Sequence, residues 1–369
     1  MYPEKFDFAP SVFAVGENYL VCVSCSSCEA TVCVRVGEKM FYDASNGILR
    51  SKKYLHMVEI PMEVLEKAGE YTIILREFTE RKPYFPTSLE PVEYTVKFRT
   101  VSDKDEINIC YIADTHGHVN EPVQASKNAG ITPDLLVLGG DIADHSGDIE
   151  NFKTLFEIAG GASGGEYPCI FSRGNHDLRG HYAELLGDYT PTDGGRSYYS
   201  VKLGKLWALV LDCGEDKDDD CIEYGYTVAC HDFRLRETEF IKNVTENAEN
   251  EFEGENVKYK LVLSHVPFAI RYKDPFNPEE EIYTQWCRLL SDSIKPDLWL
   301  AGHKHICEVS HIGSDWDDFG QPCTCIIGSK PELCENEYKF NCTFVKLSPE
   351  GNSAFFADNL GNRTEAVNV

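Results

Sequence analysis

Five apolar runs in the second half of this 369-residue chain end in side chains that bind metals or move protons. "INICYIADTH" delivers Asp114 and His116, "DLLVLGGD" delivers Asp141, and "CIFSRGNH" delivers Asn175 and His176. "YKLVLSH" ends on His265, and "DLWLAGHKH" on His303 and His305. A lone aspartate or histidine at a strand end is most often a capping or satisfied polar group. Carboxylates, an amide and imidazoles that recur after five separate runs, next to glycine or another tight-turn residue, point instead to one shared site. In open α/β sheets such sites form beyond the carboxyl ends of the strands.

A second candidate stands near the start. "CVSCSSCEATVC", Cys22 to Cys33, holds four of the chain's fifteen cysteines. As an iron–sulfur site its spacing is imperfect, with four residues rather than three before the last cysteine and no proline after it. If "LVCVSC" and "TVCVRV" are the arms of a hairpin, Val21 and Val23 share one face, as do Val32, Val34 and Val36. Cys22 and Cys33 then point the other way, with Cys25 and Cys28 at the turn. Four thiolates on one ion would break that alternation. Scaffold is the expected reading, and a redox or metal-carrier module on Cys22, Cys25, Cys28 and Cys33 is the alternative.

The elements that must position these residues change character along the chain. Residues 1–101 read as short alternating strands such as "YLVCVSC", "YTIILREF" and "VEYTVKFRT", interrupted by one short helix in "PMEVLEKAGE". That pattern predicts a small all-β, immunoglobulin- or fibronectin-like sandwich. The polar segment Val101 to Glu106 is the expected linker. From 106 to 369, continuous apolar runs alternate with amphipathic stretches such as "IENFKTLFEIAG" and "TQWCRLLSDSI". Buried strands joined by helices predict a layered α/β domain with a mostly parallel sheet.

Composition narrows the partners. A net charge of −26 repels a phosphate backbone and opposes a large nucleic-acid footprint. No apolar run is long enough to span a bilayer, and "MYPEKFDFAP" lacks the basic and apolar regions of a secretory signal. With an odd number of cysteines scattered through apolar runs, the expected setting is a reducing cytoplasm. The acidic run "EDKDDD", Glu215 to Asp220, lacks the glycine and closing glutamate of a calcium loop and is expected to be solvated.

The ordered motifs "DTH" (114–116), "GDIAD" (140–144), "GNHD" (174–177), "SH" (264–265) and "GHKH" (302–305) resemble those of the calcineurin-like metallophosphoesterases. The match is complete in order and identity and spans about residues 107 to 310. The resemblance implies two metal ions bridged by Asp141. Asp114, His116 and His305 would complete the first, and Asn175, His265 and His303 the second. Oxygen and imidazole donors without thiolate suit manganese, iron, zinc or cobalt. Such a pair makes a bridging hydroxide near neutral pH for attack on phosphorus in a small phosphorylated substrate, a monoester or small diester. By the same resemblance His176 would protonate the leaving oxygen, with Asp144 orienting its imidazole. Arg173, Arg179 and His181 flank that loop as candidate phosphate binders, and the loops 178–196, 214–232 and 271–285 would set specificity.

A β-sandwich ahead of such a domain is also the layout of purple acid phosphatases. Their motifs, however, carry tyrosine in the place of Asp144 and lack a histidine at His116. A binding protein with a vestigial catalytic domain is a further alternative, against which the intact motif set speaks.

Overall fold

Strand Leu206–Val210 is buried along its whole length, and its two faces serve different cores. Leu206, Ala208 and Val210 enter the core between two sheets. Trp207 and Leu209 share a second core with Ile241 of helix Cys230–Glu246 and Trp286 of helix Glu280–Leu289. Alternation with both faces apolar is what a helix-covered inner strand requires.

The computed structural model describes residues 2–276, 279–334 and 337–369, without the side chain of Cys334. The strand above belongs to a six-stranded sheet. It pairs in parallel with Tyr259–Leu263, which pairs in parallel with Leu298–Ala301, and that in turn with Cys325–Ile327. In the facing sheet, Ile107–Ile112 lies between Glu337–Leu347, antiparallel, and Leu135–Leu138, parallel. Cys169–Phe171 follows, parallel again. Helices Asn120–Asn128 and Lys153–Ser163 pack against this second sheet. The layered α/β architecture is thus built on two facing sheets rather than one, and the five motif-bearing strands are divided three to two between them.

The first hundred residues are sheet-rich, with one short helix, Met62–Ala68, closed by Gly69 in the left-handed region (φ 66°). The cysteine-bearing strands are not arms of one hairpin. Asn18–Ser24 pairs with Ser11–Val15 and Leu55–Pro61, whereas Ala30–Val36 pairs with Lys39–Tyr42 and Glu70–Glu80 in another sheet. The intervening residues 25–29 cross from one sheet to the other, which separates Cys22 from Cys33. The Cys22 thiol faces the Leu20 carbonyl at 3.6 Å, and that of Cys33 the Ile74 carbonyl at 3.8 Å. Cys25 and Cys28 do meet, with Sγ atoms 3.3 Å apart. Among the described residues, the groups placed to hold a metal contain aspartate and histidine but no cysteine.

The N-terminal strands also join a motif-bearing sheet. Ser11–Val15 runs parallel to Cys169–Phe171, with Phe13 opposite Cys169, so that one ten-stranded sheet crosses the connection at 101–106. Phe13 meets Phe156 edge-on at 5.7 Å. The Tyr71 hydroxyl donates to the Gly165 carbonyl at 3.0 Å, and the Arg99 N–H to that of Glu166 at 2.7 Å. Helix Lys153–Ser163 lies so close to the N-terminal segment that a Cβ on Gly160 would come within 2.0 Å of the Ala9 carbonyl oxygen.

Removing residues 1–105 would strip Cys169–Phe171 of its parallel partner and bare an apolar edge. The shortened chain is expected to aggregate, and the full chain to unfold in a single calorimetric transition. Two well-separated transitions would contradict a shared sheet.

Candidate metal centre

The donors lie in tight turns just past the strand ends, and the backbone there takes an unusual course. Asp114 (φ 55°), His116 (44°), Asp141 (52°), His303 (68°) and His305 (51°) all occupy the left-handed region. Aspartate and histidine enter it more readily than branched residues, and such conformations persist only where the surroundings impose them. Here the turns hold one another. The Asp114 N–H donates to the Gly140 carbonyl and the His116 N–H to that of Asp141, both at 3.0 Å; the Gly302 N–H donates to that of His265 at 2.8 Å. The Asp114 carboxylate accepts the His303 N–H at 3.0 and 3.1 Å, and Asp141 accepts the His176 N–H at 2.8 Å. Gly174 is pressed against this lattice: an added Cβ would lie 2.3 Å from both the nitrogen and Oδ1 of Asp141.

The structure brings all seven expected ligands together. Asp114, His116 and His305 form one group whose ligand atoms lie within 4.8 Å of one another, and Asp141, His265 and His303 form another. Asn175 Oδ1 stands 3.1 Å from His303 Nδ1. A third group, His116, Asp141 and His176, connects the two.

The donor set fits metal ions. His265 must donate from Nδ1 to the Gly139 carbonyl at 2.8 Å, which turns Nε2 inward. That Nε2 is buried, 3.0 Å from Asp141 Oδ2. The Nε2 atoms of His116 and His305 face each other at 3.0 Å. Acceptors set this close need a proton or a cation between them. Without a cation, burial disfavours charge on Asp141 and His265, yet their mutual attraction prevails. The Asp141 carboxyl is held below the usual carboxylate range, and the His265 imidazole is pushed up to about 10. Burial, together with neighbouring His265, brings His303 down to about 4. A cation binding at His265 therefore displaces a proton.

His176 donates from Nδ1 to the main-chain carbonyl of Asp144 at 2.9 Å, and its Nε2 accepts from Arg179 at 3.0 Å. The Asp144 carboxylate itself is exposed, 3.9 Å from His176 Nδ1 and 3.4 Å from His116 Nδ1. Orientation of His176 thus comes from the backbone of Asp144 rather than its side chain, because the turn aims the carbonyl at the ring. Arg179 is gripped by Glu215 at 3.1 Å and Asp216 at 3.3 Å. Arg173 is a correction to the expected phosphate binders: it pairs at 2.5 Å with fully buried Asp212 and covers the Phe233 ring. His181 is exposed and edge-on to Tyr182.

Two features went unread in the sequence. Buried Asp177, inside "GNHD", accepts the Gly174 N–H at 2.8 Å, and burial pushes its carboxyl up to about 7. The acidic run is only half solvated. Glu215 and Lys217 are buried, since Arg179 compensates Glu215 and Lys217 pairs with Asp216 at 3.0 Å. The charge pattern showed the run but not its partners.

Residues 107–307 match the family model of the calcineurin-like phosphoesterases. The purple acid phosphatase PPD1 from yellow lupin (Lupinus luteus) seeds is similar in structure, with a TM-score of 0.62 at 13% identity over 97% of this chain and 73% of that one. PhoD is similar with a TM-score of 0.54 at 10% identity, over 100% of this chain and 93% of that one. A comparison with curated proteins gives no match. At such identities the structural likeness speaks for the fold, and it takes in the N-terminal region as well as the motif-bearing sheets. The family match, in contrast, rests on sequence over more than half the chain, and the protein belongs to the calcineurin-like phosphoesterases.

Proposed function

We propose that the protein is a phosphohydrolase with a dinuclear metal centre, acting on a phosphomonoester or a small phosphodiester. The observation that carries this reading is the buried cluster in which His265 Nε2 faces Asp141 at 3.0 Å and donors from two sheets converge. Asp141 takes the shared position, with Asp114, His116 and His305 on one side and Asn175, His265 and His303 on the other. Two ions of manganese, iron, zinc or cobalt would supply positive charge for the phosphate oxygens and lower the pKa of an attacking water. Once Nε2 has taken a proton from solvent, His176 delivers it to the leaving oxygen, while the Asp144 carbonyl keeps Nδ1–H fixed. For this the Arg179 guanidinium must leave Nε2, and its freed N–H groups are then in place for a phosphate oxygen. The free state of all described cysteines supports a reducing, cytoplasmic setting. No helix of the described residues is long and apolar enough to cross a membrane.

Protein reconstituted with manganese is expected to approach two ions per chain by elemental analysis and to hydrolyse members of a mono- and diester panel. Asp141→Asn should reduce occupancy at both positions. Gly174→Ala should do the same through the clash with Asp141. A wild-type chain that binds no transition metal would sink the reading.

His176→Asn separates proton transfer from metal binding. General acid catalysis is worth about 10² to 10⁴ in rate. The variant should keep its metal and lose a factor of that order on an alkyl phosphate, whose leaving oxygen is basic. On the p-nitrophenyl ester it should lose far less. Equal losses accompanied by missing metal would make His176 a ligand, as its closeness to His116 and Asp141 also allows.

A further inference from the structure

A groove of about 860 Å³ opens directly beside His303, one of the metal-site histidines. Its walls are aromatic: Tyr272, Phe276 and Trp316 line it, and the Tyr272 ring stands edge-on to the His303 ring with centroids 5.8 Å apart. The volume lies within the range of small-molecule sites. It is larger than a phosphate group requires.

Lys304, between the ligands His303 and His305, lies in the same groove. Its Nζ is 4.6 Å from the Tyr272 ring centroid and 5.9 Å from that of Trp316. Of the other cations near the groove, Lys273 is exposed on its rim, while two have partners. Arg271 pairs with Glu280 at 2.7 Å, and Lys217 with Asp216 at 3.0 Å. Among the described residues Lys304 forms no ion pair, so its charge is left to meet an oxygen anion of a ligand. The rim is of mixed charge, with Asp315 and Asp318 exposed on it beside Arg271 and Lys273.

We propose that this groove takes the alcohol side of the phosphoester, and that the alcohol carries a flat ring, as an aryl or nucleoside phosphate does, rather than an alkyl chain. The phosphate lies at the strand-end donors, with Lys304 on one of its oxygens, and the ring lies against Tyr272 and Trp316. Aromatic faces favour any flat π-system without hydrogen-bond readout. The inference rests on the phosphohydrolase reading for its orientation, since the reacting group must point to the metal side.

The tryptophans supply a direct readout. Trp207, Trp286 and Trp299 are fully buried, while Trp316 is half-buried in the groove. Phenyl phosphate titrated into manganese-reconstituted protein should change the tryptophan fluorescence saturably, and Trp316→Phe should abolish the signal. Calorimetric titration should show phenyl phosphate binding at least about tenfold tighter than glycerol phosphate, or about 1.4 kcal/mol. Tyr272→Ala should narrow that gap to about threefold or less. Should that variant fail to fold, Trp316→Ala makes the same test. Equal affinities for the two probes, with unchanged fluorescence, would overturn the subsite. Failure of the two readings is distinguishable. Hydrolysis without ring preference removes the subsite and keeps the reaction; ring preference with no hydrolysis of any ester in the panel removes the reaction and the assignment of the groove to a leaving group.

Discussion

The site depends on one backbone constraint: five ligand-type residues held with positive φ in turns just beyond strand ends. Each such conformation costs on the order of 1–3 kcal/mol when the residue is not glycine. The cost is offset by the bonds between turns, in which the Asp114 carboxylate fixes the backbone of His303 and the Asp141 carboxylate that of His176. Ligands thereby position other ligands. Two sheets are needed for this, because neither alone brings both carboxylates and all four donor imidazoles to one point. The inter-sheet core, with Leu206, Ala208 and Val210 on one side and the strand Ile107–Ile112 on the other, sets how far apart the two sets of turns lie. A change of packing there reaches the metal site without touching it.

The same logic explains why the N-terminal region is part of the catalytic sheet rather than a pendant module. Cys169–Phe171 carries Asn175 and His176 on the turn that follows it, and its outer edge is closed by Ser11–Val15. A strand with one free edge is a less rigid support than one paired on both sides. The β-structure ahead of the motifs thus buttresses the strand from which the proposed acid projects, and its cysteines serve the packing. Cys22, buried on a strand next to Ser11–Val15, behaves as a small apolar side chain.

What the sequence made legible follows from how tightly chemistry restricts residue type. Metal ligation admits few side chains, and strand ends are fixed points, so five motifs in order named residues that the fold brings close together. Strand pairing was less accessible. Val21, Val23 and Val32 show a period of two whether or not their strands are neighbours, and alternation carries no information on the partner. The arms taken for a hairpin lie in different sheets for that reason. Charge was misleading in the same way. Arg173 looked available beside "GNHD", yet it is engaged with Asp212, just past the strand Leu206–Val210. Neither the burial of Asp212 nor that of Glu215 is visible without the partner that compensates it.

The electrostatics bear on how so acidic a chain meets an anionic ester. With a net charge of −26, long-range attraction is unavailable, and binding must come from charges at the point of contact. The arginines next to the site are almost all neutralised: Arg179 by Glu215 and Asp216, and Arg173 by Asp212. Cations in the strand-end cluster would supply most of the missing charge, at a place where Asp114 and Asp141 already concentrate negative charge to receive them. On the proposed reading, the resting protein would repel phosphate and the metal-loaded one would accept it. Metal binding and substrate binding would then be coupled through charge.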